Sequence, residues 1–148
     1  MQPHLRNDLL YCLRMLEAVE KVQLYTATYT DPLFFFTAEE GRDFDASLMM
    51  MTQIGEQAGR CSGELKMKHT GVDWQQLKSF RNRAVHDYTG LDRFLIFEII
   101  KKEVPALKTA VSEIVRDELE SGGFDREEYE VAKTSPYLRH VDFAFIEN

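Results

Sequence analysis

The sequence predicts an all-α protein, an antiparallel up-and-down bundle of four main helices followed by a C-terminal extension. Apolar side chains return every three or four residues through four long segments, which is the period of one face of an α-helix. Glycine and proline residues separate these segments and mark the turns between them. The predicted boundaries are residues 1–121 for the bundle domain and 122–148 for the extension.

The composition is that of one globular domain. The chain has 148 residues, of which 44% are hydrophobic, so it is long enough to bury a core and too apolar to be disordered. Its net charge of -7 opposes nonspecific wrapping of nucleic acid, so no DNA partner is expected and any RNA contact must be local.

The cellular location predicted from the sequence is the cytoplasm. No apolar run approaches the roughly 18 residues that cross a bilayer, and the first residues lack the apolar core of a secretion signal, so no membrane partner is expected. In this reducing compartment Cys12 and Cys61 are predicted to be small buried residues without a disulfide.

The first half of the chain predicts two long helices with a packed loop between them. The first helix is predicted from about Pro3 to Tyr29, and the second from Phe44 to Leu65. The intervening residues, Thr30 to Asp43, break the helical period and are predicted as the loop. Three glycines four residues apart on one side of the second helix favour close approach of another helix or a dimer contact: Gly55, Gly59 and Gly63.

The second half predicts two more helices and a short tail. The third helix begins at a capping box made by Asp73 and Gln76 and stops near Gly90. The fourth begins near Asp92, ends near Gly122 and is expected to bend or divide at Pro105. The tail predicts a short helix at about Arg126 to Lys133 and then a strand-like alternation at Val141, Phe143 and Phe145.

Arg81 is an anomaly on the third helix, because it falls on the apolar side. A guanidinium is costly to bury alone, so it needs a carboxylate, a cleft or a bound anion. The simplest explanations are an ion pair with an acid such as Glu56 of the second helix, or a side chain that extends to solvent. His86 lies about 140° around an ideal helix from Arg81, so the two share a phosphate only if the helix ends or bends before His86.

The segment from Arg81 to Tyr88 resembles the Arg-x4-His-x-Tyr signature of the HepT-like HEPN family of ribonuclease toxins. Further matches in the same order are Ile54-Gly55-Glu56, Trp74 and Val104-Pro105-Ala106-Leu107, so the resemblance covers about residues 5 to 118. Members of this family are helical bundles that dimerise, bring two motifs to a shared cleft and cleave RNA without a metal. The resemblance therefore implies a HEPN-like fold, a homodimer and a ribonuclease without a cofactor.

The residues of the motif suit RNA cleavage through the 2′-hydroxyl. An imidazole exchanges protons near neutral pH, so His86 is predicted as the general acid and base. Arg81 presents a fork of donors that would stabilise the phosphorane, with Glu56 as a supporting residue, and Asn82 would orient either catalytic group. The other histidines show no metal-ligand spacing and are predicted as solvated surface or loop residues: His4, His69 and His140.

The resemblance also implies a regulatory partner. Family members are usually paired with a minimal nucleotidyltransferase (MNT) antitoxin that attaches AMP to the tyrosine of the motif, here Tyr88. The prediction is thus a toxin of a HEPN/MNT toxin-antitoxin system, silenced by AMPylation. Two alternatives stay open at this point. One is a non-catalytic HEPN adaptor that binds a nucleotidyltransferase or a nucleotide, and the other is a dimerisation module in which Arg81 merely pairs with Glu56.

Overall fold

The structure is a computed structural model that describes residues 7–148, and these residues contain helices and turns but no strand. The predicted all-α bundle is therefore confirmed. The predicted start of the first helix, at Pro3, lies outside the described residues. Within the described range no helix is both long and apolar enough to cross a membrane. Four long helices build the bundle: α1 (Asp8–Thr26), α3 (Arg42–Arg60), α5 (Trp74–His86) and α6 (Arg93–Ser121).

The core lies between α1, α3 and α6. Helix α1 packs against both other helices, and its Leu13 and Val19 are completely buried. Cys12 and Cys61 are buried free thiols, as predicted. Helix α5 differs from the other three, because it packs on α3 and none of its residues is fully buried. It is therefore a peripheral helix, held on the bundle by one side.

The predicted loop at Thr30 to Asp43 is wrong. A short helix α2 (Pro32–Thr37) begins after Asp31, whose carboxylate accepts a hydrogen bond from the Leu33 amide. The Asp-Pro pair that breaks the first helix is here a cap and the first residue of a new one. Helix α2 ends in a left-handed turn at Glu39, Glu40 and Gly41, with φ of 53°, 59° and 80°. This turn directs the chain into α3.

The second predicted helix is two helices. Helix α3 ends at Arg60, and α4 (Gly63–Lys68) follows after an extended residue, Cys61. The Ser62 hydroxyl caps α4 by accepting from the Leu65 amide at 3.2 Å. Ser62 is itself held by Asp8 of α1, because its amide and hydroxyl donate to that carboxylate at 2.9 and 2.6 Å. The apolar period continues across the break since Leu65 reaches the same core.

The fourth helix and the tail also differ in part from the prediction. Helix α6 is not divided at Pro105. The predicted tail helix is confirmed as α7 (Arg126–Ala132), whereas the strand-like segment is helix α8 (Phe143–Glu147), capped by Asp142. The division of the chain at residue 121 stays a prediction. Side chains of the tail pack in the same core as the bundle.

Two histidines predicted as solvated surface or loop residues are hydrogen-bonded to buried carboxylates. His69 Nε2 lies 2.6 Å from Glu118 Oε2, and His140 Nδ1 lies 2.6 Å from Glu17 Oε2. The predicted loop position is confirmed for both, but these hydrogen bonds were not predicted, because the partners are 49 and 123 residues away along the chain. His4 lies outside the described residues.

Candidate active site

Helix α5, which contains most of the motif, is fixed at its start by two hydrogen bonds. The Asp73 carboxylate accepts from the Gln76 amide at 3.0 Å, as the capping box predicts. The Trp74 indole Nε1 donates to the backbone oxygen of His69 at 2.9 Å. The first turn of the helix is therefore tied to the preceding segment.

Gly55 allows α5 to lie directly on α3. A Cβ atom at Gly55 would stand 2.6 Å from Arg81 Cβ and 2.7 Å from the backbone oxygen of Leu77. Contacts this short are forbidden, so the close approach of the two helices requires glycine. The helix contact predicted for the glycine side is thus present at Gly55, while no atom lies within 4 Å of a Cβ at Gly59 or Gly63.

Arg81 lies against Glu56, the acid named from the sequence. Its Nε donates to Glu56 Oε2 at 2.8 Å, and its Nη1 donates to Asn82 Oδ1 at 3.2 Å. The Arg81 and Glu56 side chains are 32% and 33% exposed, so the ion pair is open to solvent. Glu56 also faces Arg60 at 3.9 Å. The carboxylate holds the Nε side of the guanidinium and leaves terminal nitrogens available to a ligand.

A cavity of about 470 Å³ opens around this ion pair, between α3, α4 and α5. Four cationic side chains line the cavity: Arg60, Lys66, Lys78 and Arg81. Glu56 is the one carboxylate among the lining residues, and Asn82 also lines the cavity. The cavity therefore has a local excess of positive charge, although the net charge of the chain is -7.

His86 is the last residue of α5, and its side chain is exposed. The helix continues through His86 and is closed by a hydrogen bond from the Asp87 amide to the Arg83 oxygen at 2.8 Å. The condition under which Arg81 and His86 of one chain share a phosphate, an end or a bend of the helix before His86, is therefore not met. His86 does not line the Arg81 cavity, and on a continuous helix the two side chains leave about 140° apart. A single chain does not bring both residues to one point.

Tyr88 lies in a short 3-10 turn beyond the helix, Tyr88–Gly90, and contacts two residues outside the motif. Its hydroxyl donates to Asp45 Oδ1 at 3.1 Å, and the guanidinium of Arg93 lies 5.7 Å from its ring centre. Partial burial and the hydrogen bond to Asp45 raise the pKa of Tyr88 above its ordinary value. Asp45 and Arg93 were missed from the sequence, because Asp45 resembles an ordinary acid in a first helical turn and Arg93 an ordinary helix residue.

Three exposed apolar side chains flank this turn along the chain. They are Val85 at the end of α5 and Phe94 and Leu95 at the start of α6, each about half exposed. Large apolar side chains exposed in this number are typical of surfaces that another molecule covers. As to metals, no group of three His, Cys, Asp or Glu side chains among residues 7–148 is placed to hold an ion.

Comparison with known proteins finds ribonucleases that are similar to most of the chain. The family model described as "Ribonuclease HepT-like" matches residues 15–114. A protein of Caldanaerobacter subterraneus subsp. tengcongensis named "Putative RNase" is 30% identical over 117 residues, which are 79% of this chain and 96% of that protein. "Probable ribonuclease HepT" of Thermococcus cleftensis is 24% identical over 94 residues, 62% of this chain and 81% of that protein.

A further relative is longer than this chain. The "Gamma-glutamylcyclotransferase and putative RNase" of Methanocaldococcus jannaschii is 28% identical over 114 residues, which are 76% of this chain but 50% of that protein. None of the solved structures matches the chain. Because the family model covers well over half of its residues, the chain belongs to the ribonuclease HepT-like family.

Proposed function

We propose that the protein is a metal-independent endoribonuclease toxin of a HEPN/MNT toxin-antitoxin system. Its family gives ribonuclease as the activity and RNA as the substrate. The observation that most supports the proposal is Arg81, a guanidinium held on its Nε side by Glu56 at the edge of an open cavity with excess positive charge. Such a site is ready to accept a phosphate on its remaining donors.

In the proposed reaction the 2′-oxygen of the RNA attacks the neighbouring phosphorus. A bond from the 2′-oxygen to phosphorus forms, and His86 takes the hydroxyl proton as general base. Arg81 donates hydrogen bonds to the phosphorane oxygens, where charge develops. The bond from phosphorus to the 5′-oxygen then breaks, and protonated His86 returns the proton to that oxygen. Glu56 and Asn82 orient Arg81, since both accept hydrogen bonds from its guanidinium.

The reaction needs a second copy of the chain, because Arg81 and His86 diverge on one continuous helix. We place Arg81 of one protomer and His86 of its partner at each of two equivalent sites, as a twofold homodimer allows. Two features of the chain support this arrangement: α5 buries none of its residues completely, and the apolar side chains of Val85, Phe94 and Leu95 are exposed.

Silencing by AMPylation of Tyr88 is the regulatory part of the proposal. A phosphodiester on the Tyr88 oxygen removes the proton that this hydroxyl donates to Asp45. It also places a negative charge beside that carboxylate, which favours movement of the modified side chain toward Arg93. The bulk and charge of the adduct would then oppose entry of RNA. An MNT antitoxin would catalyse this transfer in the cytoplasm: the Tyr88 oxygen bonds to the α-phosphorus of ATP, and pyrophosphate leaves with the hydroxyl proton released.

The first test is RNA cleavage in EDTA by the wild type, Arg81→Ala and His86→Ala. We expect each substitution to reduce kcat by about 100-fold or more, since each removes a charge-stabilising or proton-transferring group. Circular dichroism melting serves as the control for folding. Equal cleavage by all three proteins would contradict the catalytic roles.

Mixed dimers test whether the site is shared between protomers. A dimer of one Arg81→Ala chain and one His86→Ala chain retains one complete site only if the two residues come from different protomers. We expect differently tagged chains, purified as mixed dimers, to recover about half of the wild-type activity. If the mixed dimers are as inactive as the Arg81→Ala and His86→Ala homodimers, both residues act within one protomer and the arrangement is contradicted.

The adaptor function is favoured by one observation, the separation of Arg81 from His86 within a chain. A non-catalytic adaptor would bind a nucleotidyltransferase or a nucleotide stably and cleave no RNA under any condition. Pull-down of an MNT protein together with the cleavage assay distinguishes the two functions.

A further inference from the structure

The cavity beside Arg81 contains two lysines that the proposed chemistry does not use. Within residues 7–148 neither Lys66 nor Lys78 forms an ion pair. The nearest polar contact of Lys66 is a long hydrogen bond to the backbone oxygen of Gly59 at 3.4 Å. Their charges are therefore available to an anion, whereas Arg60 and Arg81 share Glu56.

These cations are spread along the cavity instead of converging on one point. Trp74, Lys78 and Arg81 are four and three residues apart on α5, so they follow one face of the helix for about 10 Å. The opposite wall comes from α3 and α4, which supply Arg60 and Lys66. A line of positive charge with two walls suits an extended polyanion better than one small anion.

Trp74 closes the end of this line away from Arg81. Its side chain is partly buried, and the hydrogen bond from its indole to the His69 oxygen fixes the ring. Aromatic rings beside a cationic groove are the surfaces on which bases of single-stranded nucleic acids stack. Because the chain as a whole is acidic, its attraction for a phosphate backbone must come from local sites such as this cavity.

We propose that the cavity is a subsite for the single-stranded RNA that adjoins the scissile phosphate. Lys66 and Lys78 bind the flanking phosphates, and Trp74 receives a base. The inference rests on the proposed function, because it takes Arg81 as the residue at the scissile phosphate. It adds two things to that function: the substrate class, single-stranded RNA, and the direction in which the RNA strand extends from the catalytic residues.

The binding test uses the full chain with His86→Ala, which lies outside the cavity and keeps the RNA intact. Fluorescence anisotropy with a labelled single-stranded RNA is measured over a range of salt concentrations. We expect Lys66→Gln combined with Lys78→Gln to weaken binding about 10-fold or more at low salt. The slope of log affinity against log salt should become shallower by about 1.4, for two lost phosphate contacts.

The matched control removes the same charge elsewhere, with Lys21→Gln and Lys101→Gln in the same background. Lys21 lies near Glu17 on α1, and Lys101 donates to the Thr26 backbone, so both are outside the cavity. We expect this control to retain the salt slope of the parent. Equal weakening in the control and the cavity variant would overturn the subsite, and so would a parent protein that binds no RNA. AMP that binds as tightly as the RNA, with the same loss in the cavity variant, would make it a mononucleotide site and overturn the proposal as well.

Cleavage kinetics separate this inference from the proposed function. With His86 intact, the lysine variant should raise KM about 10-fold and change kcat less than about twofold, because it removes substrate binding and not transition-state chemistry. If the wild type cleaves RNA and the lysine variant has the same KM as the wild type, the subsite is overturned and the ribonuclease mechanism stands. RNA that binds through the two lysines without cleavage by the wild type supports the subsite and overturns the mechanism.

Discussion

Two carboxylates in this molecule each hold two basic side chains, and their surroundings are opposite. Glu118 of α6 accepts from Lys68 at 2.8 Å and from His69 at 2.6 Å, with 7% of its side chain exposed. Glu56 of α3 holds Arg81 and faces Arg60, with about a third of its side chain exposed. The first site is closed and internally paired, whereas the second opens into a cavity with two further lysines that form no ion pair among residues 7–148.

The difference shows which of two similar ion pairs has capacity for a ligand. Burial opposes the ionisation of Glu118, but hydrogen bonds with Lys68 and His69 outweigh it and hold the pKa of that carboxyl below its ordinary value. These groups satisfy one another and connect α4 to α6. Around Glu56 the cations outnumber the carboxylate, so this cavity has the charge to accept an anion from outside. We therefore assign stability to the first site and ligand binding to the second.

The largest expected effect is at Gly55, on which the position of the Arg81 site depends. Gly55→Ala places a methyl group against Arg81 Cβ and the Leu77 backbone, so α5 must move. We expect the free energy of unfolding to fall by about 1–3 kcal/mol, measured by urea denaturation, with reduced RNA cleavage. Gly59→Ala is the matched control, since nothing lies within 4 Å of its Cβ, and it should stabilise the helix by up to about 1 kcal/mol. Equal effects of the two substitutions would contradict the close helix contact.

Glu118→Gln should have the next largest effect, on stability alone. It removes a buried charge that accepts two hydrogen bonds, so we expect a loss of about 2 kcal/mol at pH 7. Because the pKa of Glu118 is lowered in the folded protein, its ionisation stabilises the fold above the ordinary carboxyl pKa of about 4.3, and this contribution disappears as the pH falls through the lower folded value. Denaturation from pH 7 to pH 3 should show the difference from wild type shrinking at the acid end. A constant difference at all pH values would contradict the assignment.

Glu56→Gln should have a smaller effect on stability and a clear one on activity. The ion pair with Arg81 is open to solvent, so we expect less than about 1 kcal/mol of lost stability. RNA cleavage should fall about 10-fold, because the guanidinium loses the group that orients it. The dimerisation-module alternative predicts the reverse, a marked loss of folding stability and no effect of His86→Ala on any property.

Asp45→Asn should have the smallest effect, confined to Tyr88. The hydrogen bond to Asp45 helps to raise the pKa of Tyr88, so removing the carboxylate charge should lower that pKa toward the ordinary value. The spectrophotometric titration of the variant, with Tyr88→Phe used to identify the signal, measures the shift. Stability should change by less than about 0.5 kcal/mol, because both groups are exposed. An unchanged Tyr88 titration would contradict the contact.

The motif could be read from the sequence, but its geometry could not. Local spacing predicts α5, its capping box and the position of Arg81 on the apolar side, and charge compatibility suggests Glu56. The hydrogen bond of Tyr88 to Asp45 joins residues 43 apart, and no local pattern encodes such a pair. The predicted end of this helix near Gly90 lies a few residues beyond the observed end at His86.

The same limit applies to the regions that were predicted wrongly. Asp31-Pro32 and Asp142 were taken as a break and as part of an extended tail, yet each aspartate caps a short helix. Short helices of five or six residues show too few apolar repeats to be distinguished from loops or strands. Their conformation depends on the core that receives Phe35 and Ile146.

The sequence by itself determined the four long helices, the all-α class and the ordered motif that places the chain in its family. These follow from local periodicity and from residue identity, which act within a few turns of chain. Only the tertiary structure decided that Gly55 brings Arg81 against α3, and that Glu118 is enclosed and Glu56 open. Those facts depend on how distant segments pack, and packing is settled by the fit of side-chain volumes and charges across the whole core.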